Sequence, residues 1–263
     1  MSINVQSYAK TGNAATEAGV NGNDRSMEAG STALENSLLR ADFFRLMAIC
    51  FDEPGENTMK DVAILCCDIE RFKKSGRYNL RISQDKLVEA TVQTDWQEAL
   101  VIYHALFTTD VVVSPFEGAY HRSDKGNVIG DIAGFYTAFG LVSRQYSGPP
   151  DLISKELGFI SWLSLKEAYA LDTGMDAELE ITRKAVKAFV KDHVARWVPL
   201  FADKILLSTD HPWYRAAAEQ LKAVLSFTVE EMCIENVHPL QFPAATGEPD
   251  QVSCPAAGTC AVE

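Results

Sequence analysis

The chain has 263 residues, 47% hydrophobic and 23% charged, enough apolar material for a sizeable core, which excludes disorder as a description of the whole. Against 24 Lys+Arg stand 36 Asp+Glu, a formal charge of -12, so nucleic acid and anionic membranes are poor electrostatic partners and a cationic one is the better match. Charged residues interrupt every apolar run, Ala188 to Leu207 included, before it reaches the ~18 to 20 residues of a membrane span. Met1 to Gly30 lacks the basic-then-apolar order of a secretory signal, so a soluble cytoplasmic protein is expected. Six cysteines are too few for a disulfide scaffold, and reduced thiols are the expectation.

Residues 1–31 are rich in Gly, Asn, Ser, Ala and Thr and read as a flexible leader segment. A capping box at Thr32 and Glu35 then opens a first helix, with Leu39, Phe43, Leu46 and Cys50 on one face until Glu53-Pro54-Gly55 ends it. Val62, Leu65, Ile69 and Phe72 mark the second helix. Ser83 to Phe107 reads as one broken helix or two consecutive ones, with Thr94 and Gln97 at capping-box spacing and Trp96, Leu100, Tyr103 and Phe107 on the inward stripe. Thr108 to Val128, with its Val run, Pro115 and glycines, reads as the longest internal loop.

A short helix from about Gly130 to Phe139 closes at a left-handed Gly140, and Gly148-Pro149-Pro150 forms a stiff connection. Asp151 stands where an N-cap belongs, ahead of a helix with Ile153, Leu157, Ile160 and Leu163 inside. Asp176 to about Val198 follows, and Pro199 is expected to kink or restart the chain. Pro212 suits the first turn of a last helix running to about Glu235. The whole predicts an all-α single compact bundle of about eight to ten helices over residues 32–236, followed by an irregular Cys-containing tail over 237–263.

The sequence carries no Gly-rich phosphate loop, no His-Glu-x-x-His pair, no nucleophile elbow and no Cys-x-x-Cys. His193 falls on an apolar helical face and reads as a hydrogen-bonded packing histidine, while His104 and His121 flank the long loop within reach of its acidic residues. Cys233, His238, Cys254 and Cys260 are soft ligand types with loose spacing, the basis of a metal- or thiol-dependent enzyme or sensor as the alternative function. More informative are Ser114-Pro115-Phe116-Glu117-Gly118 and Gly148-Pro149-Pro150-Asp151, where prolines fix the backbone and carboxylates neighbour aromatics. An apolar groove with an acidic rim there would suit a peptide combining an apolar stretch with basic residues.

Pro149-Pro150-Asp151-Leu152-Ile153-Ser154-Lys155-Glu156-Leu157 resembles the Pro-x-Asp-His followed by Glu-Leu of the TorD/DmsD-type (TorD/DmsD/NarJ) chaperones that mature molybdenum-containing redox enzymes. Glu53-Pro54, Tyr103-His104-Ala105-Leu106-Phe107 with the Ser114 to Glu117 loop, Asp192 to Pro199, and His211-Pro212-Trp213-Tyr214-Arg215 follow in that family's order, and the resemblance covers about Leu34 to Met232. Leu152 stands where the family usually has histidine, and Gly118 where it usually has serine. The resemblance implies a cytoplasmic binding protein without catalytic turnover or a cofactor of its own, monomeric or helix-swapped into a homodimer. Its partners would be the catalytic subunit of a molybdoenzyme, that subunit's twin-arginine leader and the machinery of molybdenum cofactor insertion, and its effect would be to delay export until insertion is complete. Asp151, Glu117 and Glu156 are then the expected partners of the leader arginines, with Phe116, Tyr120, Pro150, Trp96 and Tyr103 lining the apolar part. A helical scaffold without leader specificity is the third reading, and it predicts equal binding to a leader and its scrambled counterpart.

Overall fold

The computed structural model describes residues 22–74, 82–121, 125–141 and 148–241, with side chains from residue 32 onward. Nine α-helices make up this part: α1 (Gly22–Cys50), α2 (Thr58–Lys74), α3 (Asp85–Gln93), α4 (Trp96–Phe107), α5 (Lys125–Ala138), α6 (Ile153–Thr173), α7 (Asp176–Phe189), α8 (Ala195–Ser208) and α9 (Pro212–Glu231). No strand occurs among the described residues, only a single antiparallel bridge between Phe116 and Leu152. The all-α bundle is the architecture that the apolar spacing predicts.

The central seam is α1 against α6. Small side chains on α6 let the two backbones approach, so that Ser161 Oγ donates to the Ala41 carbonyl at 2.8 Å. Arg40 lies beneath the same seam, 3% exposed. Its guanidinium donates to Ser164 Oγ at 3.0 Å, to Glu231 on α9 at 2.7 Å and to Glu167, which also accepts from Arg183 on α7 at 2.7 Å. Four helices are tied to one buried cation, and its planar fork of donors is what makes that geometry attainable. Around the seam α2 and α9 pack on α1 with α3 between them, α7 packs on α6 and α8 on α9, burying Trp197, Trp213, Tyr214, Phe159 and Phe189.

Several helix ends differ from the sequence expectation. α1 begins at Gly22 rather than at Thr32, so the last part of the expected leader segment is helical, while residues 1–21 lie outside the described residues. Met27, Glu28 and Ala29 are good helix formers, and a helix already nucleated by packing extends backwards at little cost. Thr94 and Gln97 form no capping box. Asp95 caps α4, its side chain accepting from Gln97 N–H at 2.8 Å, which a carboxylate two residues away does well. Pro199 does not restart the chain but sits in the first turns of α8, directly after a π-helical segment, Val190–Val194, that joins α7 to α8. The backbone irregularity falls in the wide turn before the proline rather than at it. Gly140, at φ +81°, takes the left-handed C-cap conformation that its position predicts, and Pro212 occupies the first turn of α9. Residues 237–241 are irregular but attached, Leu240 N–H donating to the Arg196 carbonyl at 2.7 Å, and 242–263 lie outside the described residues.

Candidate functional site

Two proline-stiffened segments meet at the N-terminus of α6. Glu117 N–H donates to the Asp151 carbonyl at 3.0 Å and Ile153 N–H to the Pro115 carbonyl at 2.9 Å, which makes Phe116 and Leu152 a two-residue piece of sheet. Glu117 then opens a single 3-10 turn over Glu117–Ala119. Asp151 does not cap α6; Leu152 holds the N-cap position, with no side-chain cap. The Asp151 carboxylate instead crosses the hinge and accepts from Gly118 N–H at 3.1 Å. A Cβ at position 118 would lie 3.1 Å from the same Asp151 oxygen, so glycine lets the carboxylate approach the backbone closely.

The carboxylates expected at the rim lie beneath the surface. Glu117 and Glu156 are 0% exposed and Asp151 is 3% exposed. Glu117 is held at both oxygens, Oε1 3.0 Å from His121 Nε2 and Oε2 3.0 Å from His193 Nδ1. The other nitrogen of His193 faces Asp131 Oδ2 of α5 at 3.2 Å, so the ring lies between two carboxylates. Glu156 accepts from the Trp197 indole N–H at 3.0 Å. Burial, followed by the neighbouring Glu117 carboxylate, pushes the Glu156 carboxyl well above its ordinary value of 4.5, and the Trp197 hydrogen bond only partly opposes this. As an ionised group Glu156 would leave Oε1 buried without a partner. Protonated, that oxygen becomes a donor toward Glu117, and the conflict between the two acids disappears.

Above this buried set lie the half-exposed parts of the hinge. Tyr120 packs its ring, tilted by 41°, 5.1 Å from Trp197, donates its hydroxyl to the Ser114 carbonyl at 2.9 Å and carries Lys204 5.0 Å over its face. Pro150 is half-buried, and its carbonyl accepts from Tyr136 at 2.9 Å. Phe116 is half-buried as well. The structure thus brings together Asp151, Glu117, Glu156, Phe116, Tyr120 and Pro150. Tyr103 is buried against Phe107, its hydroxyl pushed up to about 12 by burial and then by Asp52 and Glu53, and Trp96 is half-buried at the first turn of α4. Neither is bonded to the hinge.

His193, Trp197, His121 and Asp131 complete the site. His193 is a hydrogen-bonded packing residue as its apolar helical face suggests, and His121 approaches an acid of the loop; Trp197 falls within the Asp192 to Pro199 stretch, whereas Asp131 has no local signal in the chain. His104 lies 3.8 Å from Glu53 on the turn after α1. Of the soft-ligand set, Cys233 and His238 are exposed, Cys254 and Cys260 lie outside the described residues, and among the described residues no group of three or more His, Cys, Asp or Glu could hold a metal ion. Cys50, Cys66, Cys67 and Cys233 are free thiols. No helix is long and apolar enough to cross a membrane among the described residues.

Residues 77–203 match the family model described as nitrate reductase delta subunit, a stretch that contains the hinge, His193 and Trp197. A selenate reductase assembly chaperone protein of Thauera selenatis is 34% identical over 96 residues, 35% of this chain and 48% of that protein. A chlorate reductase assembly chaperone protein of Ideonella dechloratans is 29% identical over 131 residues, 48% of this chain and 65% of that protein. The chain therefore spans about half of one of these curated relatives and just under two thirds of the other. A crystal structure of a proposed redox enzyme maturation protein from Archaeoglobus fulgidus aligns with 72% of this chain and 93% of its own, at 20% identity and a TM-score of 0.45. The matched stretch and the two curated relatives make this chain similar, over its middle part, to nitrate reductase delta subunits and reductase assembly chaperones.

Proposed function

We propose that the protein is an assembly chaperone for a molybdenum-containing reductase, binding the immature catalytic subunit and its twin-arginine leader, without catalytic turnover, and delaying export until the cofactor is inserted. The observation that carries this reading is the hinge. Two proline-fixed segments, stitched by backbone hydrogen bonds and locked from below by buried acids, present Phe116, Tyr120 and Pro150 at the surface. The names of both curated relatives support the class of partner. The apolar part of a leader would lie on these rings, and the acidic surface would draw in the arginine pair. Asp151, Glu117 and Glu156 contribute by holding the hinge in shape, because buried carboxylates with defined partners set the backbone above them. A half-exposed aromatic at the edge and a short, pre-shaped backbone are the features of a reversible peptide seat, which handover to an export apparatus requires.

Calorimetric titration with leader peptides of candidate molybdoenzymes tests this. Saturable binding is expected to weaken several-fold when both arginines become lysine, since lysine lacks the planar fork. Phe116→Ala is expected to weaken binding with little change in melting temperature, whereas Asp151→Ala lowers both, because it frees the Gly118 N–H and opens the hinge. If no leader binds better than its scrambled counterpart, the leader-binding function is wrong.

A further inference from the structure

The outward face of α6 carries Trp162, Leu165 and Tyr169, spaced by three and four residues and 39%, 40% and 64% exposed. That spacing puts them on one stripe, and a solvent-facing helix side with three large apolar groups in line departs from the usual polar covering. Beside the stripe, Tyr169, Met175, Ile181 and Phe139 line a groove of about 260 Å³ between α6, α7 and the end of α5. Ile181 is 61% exposed and Met175 36%, so five of the twelve large exposed apolar side chains among the described residues gather here. No part of the hinge lines this groove.

The charge around the groove is one-sided at its Met175 end. Glu178 lines it, Asp176 follows Met175, and Asp172 lies one turn beyond Tyr169; all three are exposed. No ion pair among the described residues engages them, while the nearby cations are occupied. Arg183 is paired with Glu167 and Lys184 with Glu180, while Lys166 lines the groove away from Met175 and lies 5.0 Å over the Trp162 ring. An apolar floor closed at one end by unpaired acids fits a segment with the inverse pattern.

Resting on the chaperone reading, we propose that the α6–α7 groove is a second client-docking face, separate from the hinge, which seats an apolar helical segment carrying a basic residue at the end that meets Asp172, Asp176 and Glu178. Apolar side chains of that segment would bury the Trp162 to Tyr169 stripe, and its cation would fix direction and register.

The test uses the full chain and fluorescent model peptides, one Leu/Ala-rich helix former with two arginines at one end and its counterpart with glutamates there, read by anisotropy. The arginine peptide is expected to bind about tenfold more tightly than the glutamate one, and the Tyr169→Ser, Ile181→Ser double variant to bind it about tenfold more weakly with an unchanged circular dichroism spectrum. Asp176→Asn with Glu178→Gln should erase the difference between the two peptides. Equal affinity of the wild type for both peptides overturns the proposal, as does undiminished binding by the serine variant. So does a serine variant that changes only the sedimentation of the chain alone, which would make the face an interface between copies. A leader peptide titrated in the same series separates the two readings. Leader binding without any arginine preference at the groove sinks the groove alone, and a groove preference without leader binding sinks the leader-binding function alone.

Discussion

Glu156 is the residue where burial and chemistry conflict most. It sits fully buried beside Glu117, and its carboxyl is held well above the ordinary value of 4.5 in the folded protein. The folded state therefore keeps a proton that the unfolded chain releases near that value. Stability from this group is complete below about pH 4.5 and declines as pH rises toward the folded value, by about 1.4 kcal/mol per pH unit in the interval. Glu156→Gln removes the titration while keeping an oxygen for the Trp197 N–H and placing an amide N–H toward Glu117. Guanidinium melts at pH 5 and pH 8 should show the variant losing less stability than the wild type across that range. A wild type and variant with the same pH slope would mean that Glu156 is ionised in the fold.

At the scale of elements, the α1–α6 seam depends on Arg40, whose partners lie on α6 and α9. Arg40→Ala leaves Glu167 buried with only Arg183 beside it and empties the space of a long side chain. Loss of a buried cation from such a set costs about 3 to 5 kcal/mol, and chemical denaturation should register a decrease of that order. Arg40→Met, which fills the space without the charge, should leave the same acid with Arg183 alone and recover only part of the loss. Much of the element order was legible beforehand because apolar residues at helical spacing report burial directly, as Val62, Leu65 and Ile69 do on α2 and Leu157, Ile160 and Leu163 on α6. The helix starts were less legible. Asp151 has the residue type of an N-cap, yet its carboxylate is taken by a backbone N–H 33 residues away, and that competition has no trace in local sequence. The hinge segments could be found from their prolines and aromatics. That their acids face inward could not, because His193, which pairs with Glu117 from 76 residues away, reads locally as one more residue of an apolar helical face.

For the whole molecule, the net charge of -12 acts on anything basic that approaches. Association of a leader bearing an arginine pair should slow and weaken as salt rises, because the Debye length falls from about 10 Å at 0.1 M to about 3 Å at 1 M. Stopped-flow titration at low and high salt is expected to show the change mainly in the association rate, with dissociation less affected. A rate independent of salt would place recognition in the apolar contacts alone. Such a division of labour would have long-range charge collect the ligand and a small shaped surface decide whether it stays.

The π-helical segment has a consequence for how this chain is compared with others. Ala195 N–H donates to the Val190 carbonyl, five residues back, so the wide turn holds one residue more than a regular spiral would over the same rise. Each residue advances an α-helix by about 100°, and the two halves of the α7–α8 rod therefore run out of phase by roughly a quarter turn. Phe189, before the wide turn, and Trp197, after it, are both fully buried. A relative lacking the extra residue would present a different set of side chains to the acids beneath the hinge, even where its amino acids align one for one on either side. In this stretch a one-residue gap in an alignment is a rotation of everything after it, and it is the first place to look when two such chains differ in what they accept.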